Sequence, residues 1–383
     1  MQLTSPTSPD SVSAFFQLAS SQAALALLGS DPNPRVGCVI VDASDRLLGQ
    51  GHTQCVGQAH AEVMALRAAR DAGHDVRGAT AYITLEPCSH FGHTPPCCDA
   101  LIDAGIARVR VAQLDPNPLV AGQGMTRLQA AGIEVALLAP NHPVARYNRD
   151  LNIGFFSRMI RKTPWVRMKV AASLDGKTAL NNGVSQWITS TLARTDGHAW
   201  RARASAVLTG IGTVLEDNPQ LDVRLVDTPR QPALVVVDSR LETPLDARLF
   251  LPGRALYIYA AVPDEAKKSA LEARGATVIY LPGTTPAQGK VDLAALLRDL
   301  GQREINELHI EAGHKLNGSL IREGLVDEFL VYLAPKLMGQ GCDMAHFGPL
   351  SDLTQAIALS FKSVDLLGPD LRILAQISGH ETF

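Results

Sequence analysis

The sequence predicts an α/β protein built as two domains, and three observations lead there. Short apolar runs alternate with segments of helical period along nearly the whole chain, as strands covered by helices do. The alternation lapses once, between Pro140 and Pro164, where two prolines interrupt it and basic residues gather from Arg158 to Lys162. The chain is 383 residues long, with 46% hydrophobic and 19% charged residues, more than a single core usually holds. The expected division is 1–150 and 151–383, although Ile153, Phe155 and Phe156 in the junction ask for burial.

In order, Val12 to Leu28 reads as an amphipathic helix, and Asp31 to Gly37 as a turn-rich loop into the buried strand CVIVDA. A second strand is expected around Arg46 to Thr53 and a helix from Ala59 to Ala72. The strand ATAYITL follows, then a helix from Pro95 to Ala104 stopped by Gly105. RVRVAQL, the loop DPNP, a helix from Gln123 to Ala131 and a strand around Glu134 to Leu138 complete a three-layer α/β/α sandwich. Asn33 and Asp115 stand in loops at strand ends, where turn chemistry and substrate contact are equally good readings.

The second alternation opens with WVRMKVAASLDG and SQWITS, then a helix near Leu192 to Arg203. Strands AVLTG, ALVVVDS, ALYIYA and TVIYL follow, with helices expected near Asp264 to Ala273 and Leu293 to Leu300. ELHIEAG leads into a helix near Leu316 to Glu323, and EFLVYLAP and LRILAQI are the last strands.

Chemistry concentrates between His60 and Cys98. His60-Ala61-Glu62 opens a helix, and Glu86-Pro87-Cys88 follows a strand and precedes Pro95-Pro96-Cys97-Cys98. One imidazole, two thiols and a carboxylate that need not be a ligand suit a catalytic zinc, whose fourth position is left to water. The assignment is His60, Cys88 and Cys97 as ligands and Glu62 as proton carrier, two residues past His60 on the first turn of the same helix. Thr94 reads as an N-cap, which puts the Cys97 thiol at a helix start that favours the thiolate. The pattern meets the first half of the H-x-E…P-C-x-x-C signature of zinc nucleobase deaminases and departs from it by placing eight residues between Cys88 and Cys97. A structural zinc closed by His90, His93 or Cys98 is the alternative. Cys38, Cys55 and Cys342 lack partners at metal spacing and read as packing residues.

In the second half, the turn from Glu311 through Gly313 to Ser319 suits a phosphate at a helix start, or is an ordinary strand-to-helix turn. Arg201, Arg203 and Arg224 are possible phosphate forks or solvated surface arginines. The charge of −3, from 35 basic and 38 acidic residues, gives no electrostatic footprint for nucleic acid. No uninterrupted apolar run reaches membrane-spanning length. The start lacks a basic secretory n-region, and 6 cysteines suit a reducing, cytoplasmic setting.

HAEVMALRAA, TLEPCSHFGHTPPCCDALI, DPNP with VAGQG, KVAASLDGKTA, SQWITS and HIEAG, in this order, resemble the bifunctional riboflavin-biosynthesis deaminase/reductase family. The resemblance spans Ala14 to Ile377, and the long cysteine spacing is that family's own. It implies a cytidine-deaminase-like first domain and a dihydrofolate-reductase-like second one. It implies NADPH contacts at Ala171, Trp187, Thr213, Asp217, Gly313, His314, Lys315, Leu316, Asn317, Gly318 and Ser319. It implies that Ser185, Arg201, Leu221, Arg224 and Glu311 hold a pyrimidine ribosyl phosphate. The chain is expected to be a homo-oligomer with no nucleic-acid or membrane partner. Asp31 and His93 stand where a histidine and a basic residue are expected.

Overall fold

In the computed structural model the described residues are 9–92, 95–118, 120–283, 289–380 and 383. They form two compact units, Met1–Arg161 and Lys162–Phe383. The expected boundary moves one short helix downstream, because Phe155 and Phe156 pack into the first unit's core.

The first unit runs α1 (Pro9–Leu25), β1 (Gly37–Val41), β2 (Leu47–His52), α2 (Ala61–Asp71), β3 (Thr80–Ile83), α3 (Cys97–Asp103), β4 (Arg108–Val111), α4 (Gln123–Ala130), β5 (Glu134–Leu137), α5 (Pro143–Leu151) and α6 (Ile153–Arg161). Its sheet has the order β2-β1-β3-β4-β5, with β1 antiparallel to both neighbours and β3, β4 and β5 parallel. Period-two alternation sends Cys38, Ile40 and Ile83 to one core with Ala65, Leu101 and Leu128. Val39, Val41 and Tyr82 face Phe16 and Ala19 on the other side. The three layers expected from the sequence are therefore present. Full burial of Leu101 or Leu128 stabilises the unit by about 2 kcal/mol each.

Two local choices place the site. α2 is rich in strong helix formers and buries Ala61, Glu62, Ala65 and Ala69 on one stripe. It lies so close to β2 that a Cβ on Gly49 would sit 2.3 Å from the Ala65 carbonyl, and one on Gly51 2.5 Å from Met64. Small residues on both surfaces thus let the helix start approach the sheet. α3 begins at Cys97 with Pro96 as its N-cap, later than the expected Pro95. Thr94, expected as the N-cap, and His93 lie outside the described residues.

The second unit runs β6 (Trp165–Ser173), β7 (Lys177–Leu180), α7 (Thr191–Arg203), β8 (Ala206–Gly210), α8 (Ile211–Asp217), β9 (Ala233–Val237), β10 (Leu256–Ala260), α9 (Glu265–Ala273), β11 (Ala276–Tyr280), α10 (Leu293–Gln302), β12 (Glu307–Ile310), α11 (His314–Arg322), β13 (Glu328–Ala334), β14 (Gly341–Asp343), β15 (Leu359–Leu367) and β16 (Asp370–Ile377). The 9-stranded sheet has the order β11-β10-β9-β8-β12-β6-β13-β16-β15. It is parallel from β11 to β13, and β16 and β15 continue it antiparallel. β7 and β14 pair separately.

In the middle of that sheet Val166, Met168, Leu308 and Ile310 pack into an apolar core. The alternate residues, Arg167 and Lys169 on β6 with Glu307 and His309 on β12, turn to the face covered by α7. That face is ionic. Arg167 is buried between Glu328 and Glu307, at 2.9 Å from the latter, and its guanidinium stacks 4.4 Å from the Trp200 ring centre. Arg203 reaches Glu307 at 2.8 Å. It is a member of this internal network, and both sequence readings of it, phosphate fork and solvated surface residue, are corrected. Among the described residues no helix is long and apolar enough to cross a membrane.

Candidate functional site

His60 caps α2 with extended backbone, Glu62 follows in the first turn, and the loop after β3 brings Cys88 to the first residue of α3. His60 Nδ1 lies 3.3 Å from Cys97 Sγ and 3.6 Å from Cys88 Sγ. One ligating atom from each of the three lies within 4.8 Å of the others. The Cys97 backbone N–H donates to Cys88 Sγ at 3.3 Å, so a helix start faces that sulfur. Glu62 is buried beside them.

The electrostatics of this cluster are unbalanced. The hydrogen bond between the two thiols lets Cys88 ionise, at about 4, while the same bond and burial push Cys97 far above the usual thiol range. Burial, and then the Cys88 charge, push Glu62 up to about 7. The hydrogen bond to Cys88 raises His60. A buried sulfur, a half-buried one and a buried carboxylate are not all anionic together without a cation, and a dication on one nitrogen and two sulfurs fits the donor set. Cys98 is not a fourth ligand: its thiol donates to the Pro87 and Gly124 carbonyls, each at 3.5 Å, and burial holds it at about 12. His90 is exposed, and among the described residues nothing else joins the three. Cys38 is buried in the core as expected, whereas Cys55 is exposed and is not a packing residue.

Glu86, the residue before Pro87, has a function the motif did not reveal. Its buried carboxylate accepts the backbone N–H groups of Gly122 and Gly124, both at 2.9 Å, and of Asp115 and Met125, both at 3.2 Å. It thereby ties the DPNP loop and the start of α4 to the segment that carries Cys88. Gly124 must be glycine, since a Cβ there would lie 2.1 Å from the Pro87 carbonyl. Burial pushes the Asp115 carboxyl up to about 6, with the Glu86 and Cys88 charges adding to the rise and His90 opposing it. The backbone N–H of Asn117 donates to Asp115 at 2.8 Å, so turn chemistry accounts for one of its oxygens. Asp31 lies in the turn before β1.

The second unit gathers Glu311 after β12, Arg201 on α7 and Lys169 on β6. Arg201 grips Glu311 with two N–H groups, one of them at 2.9 Å, and donates a third bond to the Asp222 carbonyl at 2.7 Å. Lys169 Nζ lies 3.4 Å from Glu311. Burial opposes the Glu311 charge, but Arg201 and Lys169 overcome it and hold the carboxyl well below its usual range. Lys169 was missed in the sequence, although a lysine two residues from an arginine in an otherwise apolar strand was a visible signal. Leu221 is buried with φ of 50°, and Arg224 pairs with Asp222 while its backbone N–H donates to His198 Nδ1 at 3.2 Å.

The expected dinucleotide contacts are brought together in part. Gly313 caps α11, which starts at His314 instead of Leu316, and Thr213 on α8 faces Gly313, its Oγ1 3.9 Å from a Cβ placed there. Asp217 ends α8, Ala171 lies on β6, and Leu316 packs toward Gly210. Farther along the helix the side chains are engaged in packing. Asn317 donates to the Met344 carbonyl at 3.0 Å, a Cβ on Gly318 would lie 1.9 Å from the His346 carbonyl, and Ser319 donates to the Lys315 carbonyl at 3.2 Å. Trp187 is 62% exposed under the Arg194 guanidinium, which sits 4.5 Å from its ring centre, and Ser185 is half-buried nearby in sequence.

The first unit's sandwich and its His/Cys/Cys centre define a zinc-deaminase-type domain, joined to a second α/β unit of reductase type. Family models agree: residues 9–113 match the cytidine and deoxycytidylate deaminase zinc-binding region, and residues 164–373 match the RibD C-terminal domain. The riboflavin biosynthesis protein RibD of Escherichia coli K12 is 42% identical over 355 residues, covering 89% of this chain and 92% of that protein. That of Aquifex aeolicus is 40% identical over 342 residues, covering 89% and 92%. Acinetobacter baumannii RibD superposes with a TM-score of 0.84 at 37% identity, covering 96% of this chain and 99% of that one. A diaminohydroxyphosphoribosylaminopyrimidine deaminase/5-amino-6-(5-phosphoribosylamino)uracil reductase of Thermotoga maritima superposes with a TM-score of 0.81 at 30% identity, with the same coverage. The chain belongs to the RibD family, bifunctional deaminase/reductases of riboflavin biosynthesis.

Proposed function

We propose that the first unit deaminates 2,5-diamino-6-ribosylamino-4(3H)-pyrimidinone 5′-phosphate by hydrolysis. The second unit then uses NADPH to reduce the ribosyl side chain, giving 5-amino-6-ribitylamino-uracil 5′-phosphate. The observation that carries the first half is the convergence of His60, Cys88 and Cys97 beside the buried Glu62. Those three would hold zinc, which supplies the Lewis acidity that makes hydroxide available near neutrality. Glu62 accepts the proton of the attacking water, passes it to the ring nitrogen and then to the departing amine, which leaves as ammonia. A carboxyl poised near neutrality by burial suits both transfers.

In the second unit NADPH would lie along Ala171, Trp187, Thr213, Asp217 and the Gly313 to Ser319 turn, supplying hydride to C1 of the ring-opened ribosyl imine. Ser185, Arg201, Leu221, Arg224 and Glu311 would face the substrate. Glu311 is locked as an anion by Arg201 and Lys169, which makes it an anchor and not a proton donor. Lys169 is the ammonium closest to it. Ammonia release and NADPH oxidation, followed together on the stated substrate, test the reading: one NADPH is consumed per ammonia released. Ammonia without oxidation removes the second half of the proposal.

The homo-oligomer is proposed on the edge strand β15, where Phe361 is 70% and Leu366 75% exposed. Light scattering showing a monomer would refute it.

A further inference from the structure

The segment from Gln220 to Arg224 belongs to no helix or strand, yet side chains from elsewhere hold the carbonyls of Gln220, Leu221, Asp222 and Val223 and the N–H groups of Val223 and Arg224. Arg201 holds the Asp222 carbonyl. Gln231 holds Val223 twice, accepting its N–H at 2.7 Å and donating to its carbonyl at 2.9 Å. His198 accepts the Arg224 N–H. The carbonyls of Gln220 and Leu221 go to one side chain. Arg254, just before β10, donates from Nη1 to Gln220 at 2.8 Å and to Leu221 at 3.1 Å, and from Nη2 to Leu249 at 2.6 Å.

Arg254 is unusual in its surroundings. It is 8% exposed, its Nε has no hydrogen-bond partner, and among the described residues no carboxylate pairs with it. Arg201 pairs with Glu311 and Arg224 with Asp222, whereas Arg254 meets carbonyls and feels the Asp222 charge without contact. Burial lowers its guanidinium to about 10, which leaves it charged at neutral pH. A buried, unpaired cation is costly. It sits behind Leu221, a branched residue in the left-handed backbone region, whose carbonyl it fixes. The charge is offset by three carbonyls, those of Gln220, Leu221 and Leu249, which an apolar side chain at that place would leave without these bonds.

We propose that Arg254 is a positioning residue for the substrate's phosphate-bearing end. By clamping the Gln220 and Leu221 carbonyls it sets the path of the segment that presents Leu221 and Arg224. This rests on the reading of Leu221 and Arg224 as substrate contacts, and it adds a residue that acts on them from behind.

The test uses the full-length protein with Arg254→Met and Arg254→Lys. Hydrogen exchange of residues 220–224 and steady-state reduction of the deaminated ribosyl phosphate are measured on each. In Arg254→Met, exchange across the segment accelerates and KM for that substrate rises on the order of tenfold, as for the loss of one charge-assisted contact. KM for NADPH and kcat stay near wild type. Arg254→Lys, which keeps the charge but not the fork, falls between the two. Unchanged exchange at 220–224 overturns the clamp itself. Faster exchange with unchanged KM overturns the proposal through its premise, showing that the segment is not a substrate contact. A rise in both KM values together identifies a general structural residue and also overturns it.

Discussion

The two sites of this chain handle buried charge in opposite ways. In the first unit Cys88, Cys97 and Glu62 are brought together with the His60 imidazole, and among the described residues no Lys or Arg pairs with them. In the second, Glu311 is gripped by Arg201 and Lys169, and Arg167 lies between Glu307 and Glu328. The first arrangement is complete only with a metal. The second is organised by its own ion pairs before any ligand arrives. The difference teaches what each will tolerate: the first should lose function when a ligand atom is removed, the second should lose structure when one partner of a pair is removed.

The largest effect is expected for Cys88→Ala. Zinc, measured by metal analysis, falls from one per chain to substoichiometric, and ammonia release is abolished. NADPH oxidation on already deaminated substrate continues at the wild-type rate. Retained zinc would break the comparison at its first term. Glu62→Gln comes next, with zinc retained and ammonia release reduced by about 10²–10⁴-fold, the range for a lost general acid–base group.

Arg201→Met leaves the Glu311 carboxylate buried with Lys169 as its remaining cation. Removal of one partner of a buried pair costs about 3–5 kcal/mol, so the second unit's denaturant midpoint should fall while zinc content does not change. The sign of the pH effect follows from the depressed Glu311 carboxyl. Its contribution is fully present above the unfolded carboxylate value of about 4.3 and is lost as pH falls through the lower folded value. Without Arg201 the folded value rises, and acid unfolding of the second unit moves to higher pH. No movement would show that the pair is not what holds Glu311 ionised.

The smallest effect is expected for Glu86→Gln. A neutral amide oxygen replaces a carboxylate that accepts four backbone N–H groups, and stability falls by about 2 kcal/mol with zinc still bound. Differential scanning with metal analysis checks both parts.

The same contrast explains what the sequence disclosed. The first site was legible because its ligands come from two short stretches at strand-to-helix handovers, and residue type plus spacing already specify the chemistry. Glu86 stood in plain view in that motif, but its partners, Asp115, Gly122, Gly124 and Met125, lie 29 to 39 positions away and offer only backbone. In the second unit the strands and helices were readable from periodicity. Which arginine meets which carboxylate was not. Arg201 and Glu311 are 110 residues apart, and a charged side chain in a strand gives no hint of its partner until the strand order is known. Arg203 was misread for that reason, and Arg254 drew no reading at all. The edge strand β15 escaped notice because its face is largely exposed and its alternation does not mark a buried side.

The central claim is that two chemistries run in order on one chain, with deamination first. Its most direct test is NADPH oxidation with the diaminopyrimidinone ribosyl phosphate as sole substrate, wild type against Glu62→Ala. The expected result is oxidation by the wild type alone, with the variant restored when the deaminated ribosyl phosphate is supplied. Equal oxidation by both proteins would contradict the order of the steps or the role of Glu62.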